Sequence, residues 1–177
     1  MWIFGYGSLM WHPEFEPAER RIARLPGYSR SFCMWSIHHR GTVEDPGLVL
    51  ALDEDAEVAP CLGLALKIPE EGHDDIVAQI RERELISSAY VEQTVRLETD
   101  SGPLEDVLAY VINRDHEQYC KHLTLEDQAQ IIAQAVGGRG PNDEYLYNTV
   151  TNLRELGITD EDMEWLDARV RALKAAQ

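Results

Sequence analysis

The chain has 177 residues with a hydrophobic fraction of 44%, enough for one domain with a buried core. Its net charge is −16, from 32 acidic against 16 basic side chains. No cluster of Lys or Arg forms the basic patch that nucleic acid needs, and the same balance disfavours an anionic membrane surface. No apolar run is long enough to span a bilayer. The opening MWIFGYGSLMW lacks the basic start and long apolar stretch of a signal peptide, so a cytoplasmic protein is expected. The three cysteines, Cys33, Cys61 and Cys120, include no C-x-x-C pair and fit a reducing compartment.

In chain order, Trp2-Ile3-Phe4 reads as a short strand that Gly5-Tyr6-Gly7-Ser8 ends abruptly. Pro13 and Pro17 make the next stretch loop-like. Strands are expected over Tyr28 to Trp35, Leu48 to Leu52 and Cys61 to Ile68, the last two separated by the acidic turn DEDAEVAP. From Asp74 the period becomes helical, with Ile76, Val77, Ile80 and Glu84 on one side. Alternation returns at Val91, Val95 and Leu97, and Val107 to Ile112 is a further apolar strand.

Everything after Thr124 reads as helix. Thr124 opens a capping box with Asp127, and the helix runs through Ile131 and Ile132 to Gly137-Gly138. Asn142 is expected to cap the next helix, with Leu146, Val150, Leu153 and Leu156 inward and Gly157 as its stop. Thr159 is expected to cap the last, whose stripe is Met163, Leu166, Val170 and Leu173. Strands dominate the first two thirds and helices the last third, which predicts an α+β fold in a single domain over residues 1–177.

Three constellations could carry chemistry. The Gly5-Tyr6-Gly7-Ser8-Leu9 loop can aim several backbone N–H groups at a carboxylate or a developing oxyanion; a plain tight turn would use the same residues. Glu84 lies on the apolar side of its helix with Val77 and Ile80. A carboxylate there is costly unless protonated or paired, and burial that favours the neutral acid suits a general base. An ion pair with Arg81, or with another core arginine, would use Glu84 structurally instead. Glu82 points about 160° away on a helical wheel and reads as solvated. The third is His38-His39-Arg40-Gly41-Thr42: adjacent histidines on a strand face opposite sides, and Arg40 could grip a carboxylate or tether a loop. Neither these histidines nor His12, His73, His116 and His122 have zinc-ligand spacing with a second donor.

Taken in order, these pieces resemble the ChaC-type γ-glutamylcyclotransferases. WIFGYGSLMW is similar to that family's opening strand and Y-G-S-L loop. Pro26-Gly27-Tyr28-Ser29-Arg30 and Phe32 follow, then His39-Arg40-Gly41-Thr42, Pro46-Gly47 and the R-E pair Arg83-Glu84 with Tyr90 beyond it. Ile131, Ala133-Gln134-Ala135, Gly140-Pro141-Asn142, Glu144-Tyr145-Leu146 and Leu153 to Ile158 complete the set. After the R-E pair, Leu85-Ile86-Ser87-Ser88-Ala89-Tyr90 stands where many members have a short Gly-Gly-Tyr segment.

The resemblance implies a mixed α+β fold around a small β-barrel, and cleavage of glutathione to 5-oxoproline and Cys-Gly with no cofactor or metal. It implies Glu84 as acid/base, and Ile3, Phe4, Gly5, Tyr6, Gly7 and Ser8 as the substrate-binding loop, with Tyr145 and Arg40 as pocket neighbours. The alternatives are cyclotransfer on other γ-glutamyl amino acids or amines, and a non-catalytic binder of a small acidic ligand. A buried carboxylate argues against the binder, since it gains an anion nothing.

Overall fold

The computed structural model describes residues 1–120 and 123–177. The elements in order are β1 (Trp2–Gly5), α1 (Ser8–Trp11), β2 (Glu19–Leu25), β3 (Tyr28–Ser36), β4 (Gly47–Glu54), β5 (Cys61–Lys67), α2 (His73–Glu84), β6 (Tyr90–Thr99), β7 (Leu104–Ile112), α3 (Leu125–Gln134), β8 (Val136–Gly137), β9 (Gly140–Pro141), α4 (Asn142–Glu155) and α5 (Glu161–Ala175). They fall into two compact units, residues 1–31 with 51–116, and residues 32–50 with 117–177.

The first unit is a closed five-stranded barrel. The order β1-β5-β2-β6-β7 closes through a β1–β7 pairing. All joins are antiparallel except the last, where Ile3 lies parallel to Leu108. Ile3, Phe4, Ala23, Leu25, Leu66, Leu97, Val107 and Ala109 are buried in this unit, and closure removes the edges that an open sheet would expose. β4 runs beside β7 at Leu52–Val111.

β2 was not expected. Its sequence ERRIARL puts only Ala23 and Leu25 in the core, while Ile22 is exposed. Its place is fixed by pairing with β5 along its full length, Glu19–Lys67 to Leu25–Cys61. α2 forms as predicted, burying Val77 and Ile80. Asp74 and Asp75 in its first turn and Arg81 and Arg83 in its last complement the helix dipole.

In the second unit α3, α4 and α5 pack on one another, burying Ala129, Ile132, Leu146, Val150, Leu153, Met163, Leu166 and Val170. The Thr124–Asp127 capping box is present. Three boundaries differ from expectation. α3 stops at Gln134, because Val136–Gly137 pairs with Gly140–Pro141 as a small hairpin instead of continuing the helix. The residue capping α4 is Pro141, and Asn142 is its first helical residue. The cap of α5 is Asp160, one residue after Thr159, with its carboxylate accepting from the Met163 N–H.

Candidate active site

The glycine loop leaves the barrel at the end of β1. The side chains of Ile3 and Phe4 are completely buried, and their backbone belongs to ladders with β5 and, at Ile3, with β7. They act as the anchor. The loop proper, Tyr6 to Ser8, has its carbonyls occupied. Tyr6 O accepts from Arg30 Nε at 2.9 Å, Gly7 O from Met10 N at 2.9 Å and Ser8 O from His12 N at 2.6 Å. The Tyr6 hydroxyl donates to Tyr110 O at 3.0 Å. Arg30, itself buried, also donates to Leu62 O and, at 3.7 Å, to Cys61 Sγ. A guanidinium thus sits against the loop, bonded to the Tyr6 and Leu62 carbonyls.

Glu84 is the last residue of α2, with its side chain 13% exposed. A carboxylate at a helix C-terminus meets the negative end of the dipole. The Arg83 guanidinium offsets this, with Nε 3.2 Å from Glu84 Oε1. Arg81, the partner considered from sequence, instead grips Glu92 with two hydrogen bonds of 2.9 Å. Glu92 Oε2 also accepts from the Tyr110 hydroxyl at 2.9 Å. The hydrogen bonds from Arg81 hold Glu92 below the usual carboxylate range. Burial pushes the Tyr110 hydroxyl's pKa up; its hydrogen bond to Glu92 acts the same way, as do the charges of Glu92 and Glu84.

The same Arg83 reaches the loop. Its Nη2 donates to Ser8 Oγ at 2.7 Å and its Nη1 to His12 O at 2.9 Å, with Glu14 Oε2 at 3.5 Å. One side chain, 12% exposed, therefore holds the largely shielded Glu84 carboxylate and the end of the glycine loop in one arrangement. That arrangement can bind an anion beside a group that exchanges a proton.

A sequence model of ChaC-like proteins matches residues 1–173. The chain belongs to the ChaC-like family. It is similar to a glutathione-specific γ-glutamylcyclotransferase of Escherichia coli K12, 33% identical over 175 residues that cover 99% of this chain and 74% of that protein. It is also similar to γ-glutamylcyclotransferase 2-3 of Arabidopsis thaliana, 34% identical with 97% and 88% covered. Among solved structures, a yeast γ-glutamylcyclotransferase specific to glutathione shares the fold, with a TM-score of 0.89 at 23% identity over 100% of this chain and 98% of that one.

Several residues that carry the ChaC-like resemblance belong to the second unit, where they build a backbone clasp. Gly138 N and Arg139 N donate to His38 O and His39 O at 2.7 and 2.9 Å. A Cβ at Gly41, Gly47 or Gly137 would collide with neighbouring backbone, so the segments can approach only as glycine. Asn142, fully buried, spans Leu48, accepting from its N–H at 2.8 Å and donating to its C=O at 2.7 Å. Arg40 donates to Pro141 O at 3.1 Å and lies over the Tyr145 ring at 5.8 Å. Tyr145 packs edge-on against Phe32, with rings 6.0 Å apart, and its hydroxyl accepts from Leu50 N at 3.4 Å.

Sequence reasoning quoted Arg30 and Arg83 within motifs without a role for either. The only available signal for Arg83 was its adjacency to Glu84. Among the described residues no group of three or more His, Cys, Asp or Glu side chains is placed to hold a metal ion; His122 lies outside the described residues. Cys33, Cys61 and Cys120 are buried thiols, and no helix among the described residues is long and apolar enough to cross a membrane.

Proposed function

We propose that this chain is a γ-glutamylcyclotransferase that cleaves glutathione to 5-oxoproline and Cys-Gly, acting as one domain in the cytoplasm. The observation that carries the reading is the nearly buried Glu84 carboxylate, tied through Arg83 to Ser8 of the glycine loop. The names of the E. coli and yeast relatives point to the same substrate.

The substrate supplies its own nucleophile. Its α-ammonium is unreactive while charged, so Glu84 takes a proton from it. The freed amine attacks the γ-carbonyl and closes a five-membered ring through a tetrahedral oxyanion. The bond from the γ-carbon to the cysteine nitrogen then breaks as Glu84 gives that proton to the leaving amine. Glu84 takes the second proton from the ring nitrogen and passes it to the released amine, leaving a neutral lactam and an ammonium. Holding the γ-glutamyl chain in the cyclic conformation can supply roughly 7–11 kcal/mol in favourable cases. N–H groups of the loop from Gly5 to Ser8 hold the α-carboxylate or the oxyanion. Ile3 and Phe4 support the loop from the barrel, Tyr6 sets its turn, and Tyr145 is assigned as a pocket neighbour. No step requires a cofactor.

The test is incubation of purified protein with glutathione and, separately, γ-glutamyl-alanine, with 5-oxoproline and the released amine measured by mass spectrometry. Equimolar 5-oxoproline and Cys-Gly are expected from glutathione. In Glu84→Gln turnover should fall about 10²–10⁴-fold, the usual contribution of a positioned acid/base, with the melting curve retained. Product from γ-glutamyl-alanine alone would keep the mechanism and change the substrate. Wild-type turnover in Glu84→Gln would remove Glu84 from the reaction.

A further inference from the structure

We propose that Arg83 is a positioning residue that sets the hydroxyl of Ser8 as a hydrogen-bond donor to the substrate and the carboxylate of Glu84 as its proton acceptor, through one guanidinium. This rests on the cyclotransferase reading above and goes beyond it by assigning Ser8 and Glu84 as a coupled pair.

The geometry supports this in three ways. First, Arg83 has no acceptor, so its 2.7 Å contact with Ser8 Oγ can only be a donated hydrogen bond. A hydroxyl that accepts from a guanidinium keeps its own proton to give, and the adjacent cation strengthens it as a donor. An anionic group of the substrate seated at the loop is the acceptor that this proton suits. Second, Nε of the same guanidinium is 3.2 Å from Glu84 Oε1. The planar fork fixes the directions of its N–H groups relative to one another, so donor and acceptor are held at a set separation, which lysine cannot reproduce. Third, Nη1 is fastened to His12 O at 2.9 Å, with Glu14 Oε2 3.5 Å away. Glu14 has φ of 67°, a conformation that costs a non-glycine residue energy and persists where its surroundings hold it. The fork is therefore anchored at the end remote from Glu84.

Charged and titratable groups around Glu84 include Arg83 on its own helix, Tyr110 on β7, whose hydroxyl feels its charge, and beyond Tyr110 the Glu92–Arg81 pair. Glu14 lies on the far side of Arg83. Arg83 is in direct contact with Glu84, Nε to Oε1 at 3.2 Å.

The experiment is a double-mutant cycle on 5-oxoproline release with wild type, Arg83→Met, Ser8→Ala and both together, each measured as kcat, KM and the pH profile of kcat/KM. Ser8→Ala alone should lower kcat/KM about 10–100-fold, as expected for one lost donor. In the Arg83→Met background the same change should cost less than about threefold, because the donor is no longer aimed. Arg83→Met should also move the acid limb of the profile to higher pH, since Glu84 loses a neighbouring cation. Arg83→Lys, which retains charge without the fork, should restore the acid limb but not the Ser8 coupling; it carries the test if Arg83→Met does not fold. Additive effects with an unmoved acid limb in an active wild type would overturn the positioning role alone. A wild type that releases no 5-oxoproline from any γ-glutamyl compound would overturn the proposed function and this inference with it.

Discussion

Replacing Asn142 with alanine should destabilise the protein more than most single changes, because two buried backbone groups lose their partners at once. Asn142 and Leu48 are both completely buried. The asparagine amide oxygen accepts from Leu48 N at 2.8 Å and its nitrogen donates to Leu48 O at 2.7 Å. Alanine removes both ends of this bridge and leaves the N–H and C=O of Leu48 stranded. Each stranded buried group costs about 1–3 kcal/mol, so the sum is about 2–6 kcal/mol against the roughly 5–15 kcal/mol that holds a domain together. For a chain of this length each kcal/mol moves Tm by about 2–4 °C, which predicts a fall of roughly 5–20 °C. Urea unfolding followed by far-UV circular dichroism checks this: the midpoint should drop with the slope unchanged. Asn142→Asp should be no milder than alanine, since a carboxylate can accept from Leu48 N but faces Leu48 O with like polarity. A loss below about 0.5 kcal/mol in Asn142→Ala, the range of an ordinary surface change, would refute the bridge.

Two further outcomes follow from individual contacts. Hydrogen bonds from Arg169, then Gln130, hold the Glu126 carboxyl at about 2, well below its ordinary value of 4.5. The pair's stabilisation is therefore fully present above 4.5 and is lost as pH falls toward about 2. Arg169→Met should flatten the rise of Tm between those pH values, and parallel wild-type and mutant curves would sink the assignment. Tyr145→Phe removes a hydroxyl whose bond to Leu50 N, at 3.4 Å, is long, so the stability cost should stay below about 1 kcal/mol. KM for glutathione should rise severalfold with kcat retained; an unchanged KM would leave Tyr145 as a packing ring only.

The strands with strong apolar character were legible because their pattern and their burial coincide. In β7 every residue from Val107 to Ile112 is buried, and CLGLALK reads as the core strand it is. β2 was not legible, since an arginine-rich strand held mainly by its partner's register has no apolar period of its own. The four residues of α1 fall below the length at which periodicity speaks. Asn142 was read as a cap because asparagine suits that position, whereas it is the first helical residue and its amide bridges the backbone of Leu48 on β4. The site followed the same rule. Glu84 was visible as a carboxylate out of place on an apolar face. Arg30 and Arg83 were not, because a charged side chain in sequence gives no sign of being buried, and their partners lie 24 and 75 residues away.

This placement of arginine also resolves a conflict posed by composition. A chain of net charge −16 should repel glutathione, which carries two carboxylates and one ammonium at neutral pH. The repulsion is a property of the solvated surface, where charges more than about 8 Å apart are largely screened at physiological salt. Arg30 lies within hydrogen-bond reach of the Tyr6 carbonyl and is shielded from solvent. At that range and in that environment a single cation outweighs many distant carboxylates. It bonds the Tyr6 and Leu62 carbonyls, which places its guanidinium against the loop backbone. An acidic surface and the proposed anion-binding role of the loop are therefore compatible: one acts through salt water at long range, the other through protein at contact.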